Sequence, residues 1–436
     1  MRARVHYTDQ LTGRLQPPSS KNYTTRYLLA AALADGESVV HYPAVSDDAE
    51  ALVRCLQGFG AQVREEADSE GGRHLRVRGF GRHPANPGTV DPGNAGAVLR
   101  LLMGVGALLP EVTFQTRFSD SLGQRPHGDL LAALEQLGAS TASQDGRLPV
   151  TIRGGRLHGG RVQVSGARSS QYLSALLFLA PLVGEAVEIE VIDQLVSQPL
   201  IRTTLEVLGQ AGIQVEAAED LMGFHIGGGQ AYCPAEYSVN GDYPSAAAIL
   251  AAGAVTGSAI AVDRLYEDRQ GERAVIEVLR QMGVPVQYDG RQVQIGRHRG
   301  LRAITFDGDQ ATDMVLAMLP LAALAVGRSR FHGIGNLRLK ECDRLAVPVA
   351  LLRQVGVDCD EGESEIVVRG RPDGYEGGLE LPTHSDHRVA QMLAIMGLRC
   401  RRGLVVGDAG TVAKSYPGFF RDLISLGARI DLEEGA

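Results

Sequence analysis

Short polar and basic motifs open several segments of this chain that are otherwise apolar. The apolar segments read as buried helices, because hydrophobic residues occur on nearly all of their sides. The motifs are Ser20-Lys21-Asn22, Asn94-Ala95-Gly96, Ser169-Ser170-Gln171, Asp242, Asp313 and Asp386-His387-Arg388. A helix N-terminus presents unpaired N–H groups and a partial positive charge, so such positions favour anions.

Amphipathic segments alternate with the apolar ones and open with a second set of motifs. These are Asp47-Asp48, Gln124-Arg125-Pro126, Ser197-Gln198-Pro199, Asp268-Arg269, Lys340-Glu341 and Lys414-Ser415. The cations at or near both kinds of helix start are Lys21, Arg26, Arg125, Lys340, Arg344, Arg388 and Lys414. Arginine can hold phosphate or carboxylate through two parallel hydrogen bonds. The pattern therefore predicts a cationic cleft for a small anionic substrate.

Each motif taken alone has a plainer interpretation. Asp242 and Asp47 fit ordinary helix N-caps, and a single Lys or Arg is usually a solvated surface charge. The run KECDRL could be a surface helix in which Glu341 and Arg344 pair at i, i+3. His387 could be a structural histidine. The functional interpretation depends on the recurrence of these helix starts in six places.

A sixfold internal repeat supplies the elements that would position these motifs. An amphipathic run ending in glycine, followed by a strand-like run, recurs at Gly60, Gly138, Gly212, Gly283, Gly356 and Gly427. Six units of about 73 residues nearly fill the 436-residue chain, and such a period fixes the architecture. The residue pattern of each unit predicts two helices and about four strands. The predicted fold class is therefore α/β with buried helices.

Six units divide most simply into two domains of three. One break is expected near 238–242, and a second crossing lies in LQPPSS at 15–20, where paired prolines stiffen the chain. We therefore predict one domain of 17–239 and another that combines 1–16 with 240–436. The sixth unit lacks room for its last strand, which the N-terminal run RVHYT could supply. A single α/β sheet is the alternative, and the chain length disfavours it.

Composition argues against several other classes of function. With 44% hydrophobic and 22% charged residues the chain resembles a soluble globular protein, and its net charge of −8 disfavours a nucleic-acid surface. The longest apolar run, 314–327, is shorter than a membrane span. The start of the chain does not resemble a secretion or import signal. Five scattered cysteines without zinc-like spacing indicate no metal site and a cytoplasmic location.

Ten blocks of the sequence, in order along nearly the whole chain, resemble the EPSP synthases of the enolpyruvyl transferase family. They are PSSKNYTTRYLLAAALADG, GNAGAVLR, LGQRPHGDL, SSQYLSALL, LVSQPLI, GDYPSAAAILAAGA, DGDQATDM, NLRLKECDRL, SDHRVAQM and AKSYPGFF. The resemblance implies two domains of three βαβαββ-type units each, with the active site in the interdomain cleft. It also implies transfer of the enolpyruvyl group of phosphoenolpyruvate to the 5-hydroxyl of shikimate 3-phosphate, in aromatic amino acid biosynthesis. No metal and no organic cofactor are implied, and a monomer is expected.

The resemblance also implies roles for individual residues. Asp313 would be the base at the attacking hydroxyl, and Glu341 with Lys21 would move the proton at the methylene carbon. The residues expected to hold shikimate 3-phosphate are Lys21, Asn22, Arg26, Ser169, Ser170, Gln171, Ser197, Asp313, Asn336 and Lys340. Those expected to hold phosphoenolpyruvate are Lys21, Asn94, Gly96, Arg125, Gln171, Arg344, Arg388 and Lys414.

The chain departs from the family pattern at several of these positions. Asn22 replaces the usual Ser, Ala97 replaces a Thr, and Leu200 stands where an aromatic residue is common. Two other functions remain open. The sister activity on UDP-N-acetylglucosamine shares the Lys-Asn start, although its usual cysteine before Arg-Pro is replaced here by SDSLGQ. A non-catalytic anion-binding relative is the other.

Overall fold

Residues 1–67 and 72–433 are described by the computed structural model. The chain divides into two units, Met1–Pro18 with Asn240–Ala436, and Ser19–Val239. Each unit encloses a hydrophobic core of its own. The N-terminal segment carries strands β1 (Arg2–Val5) and β2 (Thr12–Leu15).

Three helix pairs belong to the unit Ser19–Val239. They are α1 (Lys21–Leu33), α2 (Asp47–Gly58), α3 (Gly96–Gly106), α4 (Gly128–Gln136), α5 (Ser170–Leu179) and α6 (Gln198–Gln210). The strands of this unit are β3 (Glu37–His41), β4 (Gln62–Ala67), β5 (Arg73–Arg78), β6 (Thr89–Val90), β7 (Val112–Phe114), β8 (Ser140–Gln144), β9 (Arg147–Arg153), β10 (Gly160–Val164), β11 (Val187–Val191), β12 (Glu216–Ala217), β13 (Gly223–Ile226) and β14 (Glu236–Ser238).

Three further helix pairs belong to the unit that contains Asn240–Ala436. They are α7 (Tyr243–Val255), α8 (Val275–Gln281), α9 (Val315–Leu324), α10 (Ala346–Val355), α11 (His387–Gly397) and α12 (Phe419–Ser425). The strands are β15 (Ala259–Val262), β16 (Val286–Tyr288), β17 (Val293–Ile295), β18 (Leu301–Arg302), β19 (Thr305–Asp307), β20 (Ala325–Val326), β21 (Arg328–His332), β22 (Asp358–Glu361), β23 (Ile366–Arg369), β24 (Leu379–Leu381), β25 (Leu404–Val406) and β26 (Ile430–Glu433).

The sheets confirm the sixfold repeat. Within the described residues there are six four-stranded sheets, with the orders β14-β3-β5-β4, β6-β7-β9-β8, β10-β11-β13-β12, β2-β15-β17-β16, β19-β21-β23-β22 and β24-β25-β1-β26. In each sheet the first pair is parallel and the next two are antiparallel. A short parallel pair, β18 with β20, lies outside this pattern.

The two N-terminal strands complete sheets of the unit that contains the C-terminal half. β1 pairs with both β25 and β26, and Val5 faces Leu404 on one side and Ile430 on the other. The N-terminal segment therefore supplies the missing strand of the sixth repeat, as predicted, but the strand spans Arg2–Val5 and not the run RVHYT at 4–8. β2 adds to β15 as the parallel edge of the fourth sheet.

The apolar helices form the centre of each unit. Every residue of α7, α9 and α11 is buried, and these three helices pack against one another, as α3 and α5 do in the other unit. Their partners α2, α6 and α10 bury only one face, as amphipathic sequences require. No helix among the described residues is long and apolar enough to cross a membrane.

Glycines at the ends of the third strands allow the sheets to approach the central helices closely. A Cβ at Gly79 would lie 2.1 Å from the Ala34 carbonyl oxygen, and one at Gly370 would lie 2.0 Å from that of Ala325. No side chain fits at such distances. Glycine at these two positions is thus a packing requirement.

Candidate active site

In the unit containing Asn240–Ala436, the buried side chain of Arg344 contacts the candidate catalytic carboxylates. Arg344 bonds both carboxylate oxygens of Asp386, with Nε–Oδ2 at 2.8 Å and Nη2–Oδ1 at 3.1 Å. Its Nη1 lies 3.1 Å from Asp313 Oδ1, and its Nη2 lies 2.9 Å from Glu341 Oε2. Lys414 Nζ lies 2.9 Å from Glu341 Oε1. We call these five residues the Arg344 cluster.

Opposing effects set the charge of Arg344. Its side chain is only 2% exposed, and burial disfavours the charged form. Asp386, Glu341 and Asp313 outweigh burial and hold the pKa of Arg344 well above its usual value. The guanidinium is therefore a permanent cation that keeps the carboxylates oriented.

The loop before α10 places Glu341 and Arg344 in the cluster. The sequence predicts a helix that begins at 340–341, and this prediction is wrong in register, since α10 begins only at Ala346. Asp343 accepts the main-chain amides of Leu345 and Ala346 and so caps α10. Glu341 and Arg344 both lie before the first residue of α10, so helical geometry does not direct their side chains to different sides.

Three other predicted helix starts also lie before the helices that they were expected to open. Lys414 ends a 3-10 turn, Ala409–Lys414, and α12 begins at Phe419. Arg125 lies before α4, which begins at Gly128. In the fourth repeat, α8 begins at Val275, after a turn, Gly271–Ala274.

Asp386 and Arg388 come from the start of α11. Asp386 is completely buried and caps the helix by accepting the Arg388 amide at 2.8 Å. The Arg388 side chain is also buried, and its Nη1 bonds Gln391 Oε1 at 3.1 Å. Its Nε has no hydrogen-bond partner within residues 1–67 and 72–433. A buried guanidinium with an unused donor is suited to bind an anion.

Asn336 and Lys340 lie in the segment that precedes Glu341. Asn336 belongs to a 3-10 turn, Gly335–Leu339, and Lys340 follows it directly. Both residues are half-buried. The structure therefore brings them into the segment that carries Glu341, as the sequence spacing requires.

The start of α1 carries three of the predicted residues in the unit Ser19–Val239. Lys21 Nζ lies 3.1 Å from Asp48 Oδ2 at the start of α2. Arg26 is buried and bonds Thr204 Oγ1 at 2.9 Å and the carbonyls of Asn22 and Leu200. Burial lowers the pKa of Arg26 to about 10, so it remains charged at neutral pH. The side chain of Leu200 is not needed to hold Arg26, because the contact is to its carbonyl.

Arg125, Arg100, Gly96 and Gln171 lie together in the same unit, and we call them the Arg125 group. A Cβ at Gly96 would lie 2.7 Å from Arg125 Nη1 and 3.7 Å from Arg100 Nη1, so both guanidiniums reach the first turn of α3. Arg100 Nη1 donates to Gln171 Oε1 at 2.7 Å. Asn94 lies directly before this turn. The group combines a helix N-terminus with two cations, an arrangement that binds anions.

His127 lies beside the Arg125 group and is completely buried. Neither of its ring nitrogens has a hydrogen-bond partner among the described residues. Burial first, and then the charges of Arg100 and Arg125, lower the pKa of His127 to about 2. The imidazole is therefore neutral at physiological pH.

The predicted serines occupy helix starts in the third repeat. Ser169 caps α5 by accepting the Gln171 amide at 3.3 Å, and Ser170 is the buried first residue of that helix. Ser197 occupies the N-cap position of α6 in a left-handed conformation with φ of 53°, without a capping hydrogen bond from its side chain. A non-glycine residue with this φ is strained, and such strain is common in ligand-binding segments.

Several residues that lie beside the predicted site residues have no role predicted from the sequence. Asp386 and Arg100 stood in the quoted motifs SDHRVAQM and GNAGAVLR but were not assigned a role. Asp48 stands in the motif Asp47-Asp48, also without an assigned role. His127 likewise stands in the motif LGQRPHGDL without an assigned role. Glu272 gives no signal, because its importance depends on burial that one sequence does not reveal.

Comparisons with known proteins agree with the fold and with the motifs. The family model described as EPSP synthase (3-phosphoshikimate 1-carboxyvinyltransferase) matches residues 5–423. The 3-phosphoshikimate 1-carboxyvinyltransferase of Deinococcus radiodurans is 44% identical over 99% of this chain and 97% of its own. That of Methanosarcina acetivorans is 38% identical over 96% of both chains.

A solved structure supports the same assignment. EPSP synthase from Acinetobacter baumannii superposes with a TM-score of 0.80 at 25% identity, over 99% of this chain and 100% of that chain. The expected α/β fold class is thereby confirmed. The match of sequence and fold along nearly the full length shows that the chain belongs to the EPSP synthase family.

Proposed function

We propose that this chain transfers the enolpyruvyl group of phosphoenolpyruvate to the 5-hydroxyl of shikimate 3-phosphate and releases phosphate. The observation that supports this most strongly is the Arg344 cluster in a chain of this family. Asp313 and Glu341 are held by one buried guanidinium, but Glu341 also has Lys414 at 2.9 Å. The two carboxylates therefore have different surroundings and are suited to different roles in proton transfer.

Asp313 is the base in this proposal. Its carboxylate takes the proton of the attacking hydroxyl while the hydroxyl oxygen bonds to C2 of phosphoenolpyruvate. Glu341, together with Lys21, delivers a proton to the methylene carbon and gives a tetrahedral intermediate. In the second step Glu341 takes a proton back from that methyl group while the C2–O bond to phosphate breaks, which restores the double bond. The proton held by Asp313 leaves with the phosphate, so atoms and charges balance.

The cations hold the anionic groups of the two substrates. Arg125, Arg344, Arg388 and Lys414 bind phosphoenolpyruvate, with Lys21, Asn94, Gly96 and Gln171. Shikimate 3-phosphate is bound by Lys21, Asn22, Arg26, Ser169, Ser170, Gln171, Ser197, Asp313, Asn336 and Lys340. Buried and preoriented cations suit this task, because they need no reorganisation when charge develops on the leaving phosphate.

The chain is proposed to act as a cytoplasmic monomer. All five cysteines are unpaired thiols in the structure, which suits a reducing compartment. Light scattering during size-exclusion chromatography should give the chain mass of 46.5 kDa, and a mass twice as large would contradict the monomer.

Phosphate release tests the reaction directly. The purified protein is incubated with phosphoenolpyruvate and either shikimate 3-phosphate or UDP-N-acetylglucosamine, and inorganic phosphate is measured. We expect release only with shikimate 3-phosphate. Release only with the UDP-sugar would assign the sister activity, and no release with either would favour a non-catalytic anion-binding protein.

A further inference from the structure

Glu272 is a buried carboxyl group that the proposed reaction does not use. It lies in the 3-10 turn Gly271–Ala274, before α8, and is only 7% exposed. Its Oε1 accepts a hydrogen bond from the main-chain amide of Asp313 at 3.2 Å. Glutamate is rarely buried to this extent without a specific role.

The turn that carries Asp313 needs an anchor of this kind. Asp313 lies in the 3-10 turn Asp309–Met314, and Ala311 within it has non-helical dihedrals (φ −150°, ψ 52°). The turn is therefore not a rigid extension of α9. Asp313 is held at two points: Glu272 binds its main-chain amide, and Arg344 binds its carboxylate.

We propose that Glu272 is a positioning residue for enolpyruvyl transfer, which fixes the backbone of Asp313 so that the carboxylate meets the attacking hydroxyl. This inference rests on the role of Asp313 in the proposed function. A displacement of about 1 Å at a reacting group can lower the rate by about 100-fold. A carboxyl group that only capped a helix would affect stability and leave the pH dependence of catalysis unchanged.

The surroundings of Glu272 determine its charge. Burial first, and then the charge of Asp313, raise the pKa of Glu272 to about 8, and Asp242 from the start of α7 adds to the effect. On its own segment Arg273 pairs with Glu267 at 2.8 Å. The other charged groups on the packed elements are Asp309, which accepts from Gln310, and the exposed Glu277 and Arg280 of α8.

The titration of Glu272 predicts how kcat depends on pH. Below about pH 8 Glu272 carries a proton and is neutral; above it the group ionises and adds a negative charge beside Asp313. A second anion there repels the anionic substrates and disturbs the base, so kcat should fall as the pH rises through about 8. Glutamine offers the same carbonyl acceptor but does not titrate.

The experiment compares Glu272→Gln, Glu272→Ala and the exposed control Glu277→Gln from pH 6 to 9.5, with kcat and KM for shikimate 3-phosphate. We expect Glu272→Ala to lower kcat on the order of 10- to 100-fold with KM nearly unchanged. Glu272→Gln should retain wild-type kcat at pH 7 and lose the decline near pH 8. Glu277→Gln should behave as the wild type.

Two outcomes would overturn the inference: wild-type kcat in Glu272→Ala, or a decline near pH 8 that persists in Glu272→Gln. If circular dichroism shows that Glu272→Ala does not fold, the pH profile of Glu272→Gln decides alone. Asp313→Asn is measured in parallel. Normal turnover of that variant would remove Asp313 from the proposed function, which is a different failure from that of Glu272.

Discussion

Asp313 shows most directly how single side chains are prepared for chemistry. Its carboxylate is oriented by Arg344 at 3.1 Å, so Asp313→Asn preserves shape and removes the basic group together with the negative charge that pairs with Arg344. We expect kcat to fall by about 10²- to 10⁴-fold, the usual contribution of a general base. Binding of shikimate 3-phosphate, measured by calorimetry, should change little. Turnover within a few-fold of the wild type would show that another group takes the proton.

His127 illustrates the opposite situation, a buried polar group whose ring has no partner among the described residues. Leucine has a similar size and no polar atoms, so His127→Leu should raise the free energy of unfolding by about 1 kcal/mol at pH 7.5. His225→Leu on the exposed face of β13 is the matched control. If urea unfolding shows that His127→Leu is less stable than the wild type, the His127 ring makes a stabilising contact.

The pH dependence of stability gives a second test of His127. Its pKa is about 2 in the folded chain and about 6.5 in an unfolded one. The unfolded state therefore binds a proton below about pH 6.5 that the folded state does not, so the free energy of unfolding decreases as the pH is lowered. The advantage of His127→Leu should be about 2 kcal/mol larger at pH 5 than at pH 7.5. An advantage independent of pH would contradict the neutral buried ring.

At the scale of elements, the first turn of α3 depends on the absence of a side chain. A Cβ at Gly96 would lie 2.7 Å from Arg125 Nη1, and the flexible guanidinium would have to move. We expect Gly96→Ala to fold normally and to raise the KM for phosphoenolpyruvate by about tenfold, which corresponds to about 1.4 kcal/mol. Gly128→Ala at the start of α4, where a Cβ meets nothing within 4 Å, should leave the KM unchanged. Equal effects of the two variants would contradict a specific role of Gly96.

The sequence predicted these elements better than it predicted their starts. The sequence predicted α7, α9 and α11, because a helix that is buried on every side is a continuous apolar run that is easy to recognise. The starts of α10 and α12 were placed too early, since Asp343 and the turn Ala409–Lys414 delay the helices through contacts that a local pattern does not contain. For the same reason Asp386 has no predicted role, because one sequence does not show that its side chain meets Arg344. The catalytic and binding roles of the selected residues remain predictions.

At the scale of the whole molecule, the repeat explains why two distant parts of the chain belong together. Each of the six sheets needs one parallel pair and two antiparallel pairs, and the sixth repeat ends before it can provide them all. β1 fills that position between β25 and β26. The first residues of the chain are thus structural members of the unit that contains Asp313 and Arg344.

Because β1 completes a sheet of one unit only, a substitution in β1 should destabilise that unit and leave the other unchanged. Val5 is completely buried between β25 and β26, so Val5→Ser should cost about 2–4 kcal/mol through lost packing and a buried hydroxyl. Hydrogen exchange followed by mass spectrometry should show faster exchange across 240–433, while 19–67 and 72–239 keep their protection, because each unit has its own core. Arg4→Ser, on the exposed side of the same strand, should change neither. Equal loss of protection in both units would mean that the two cores unfold as one, and that the repeat divides the chain in architecture but not in stability.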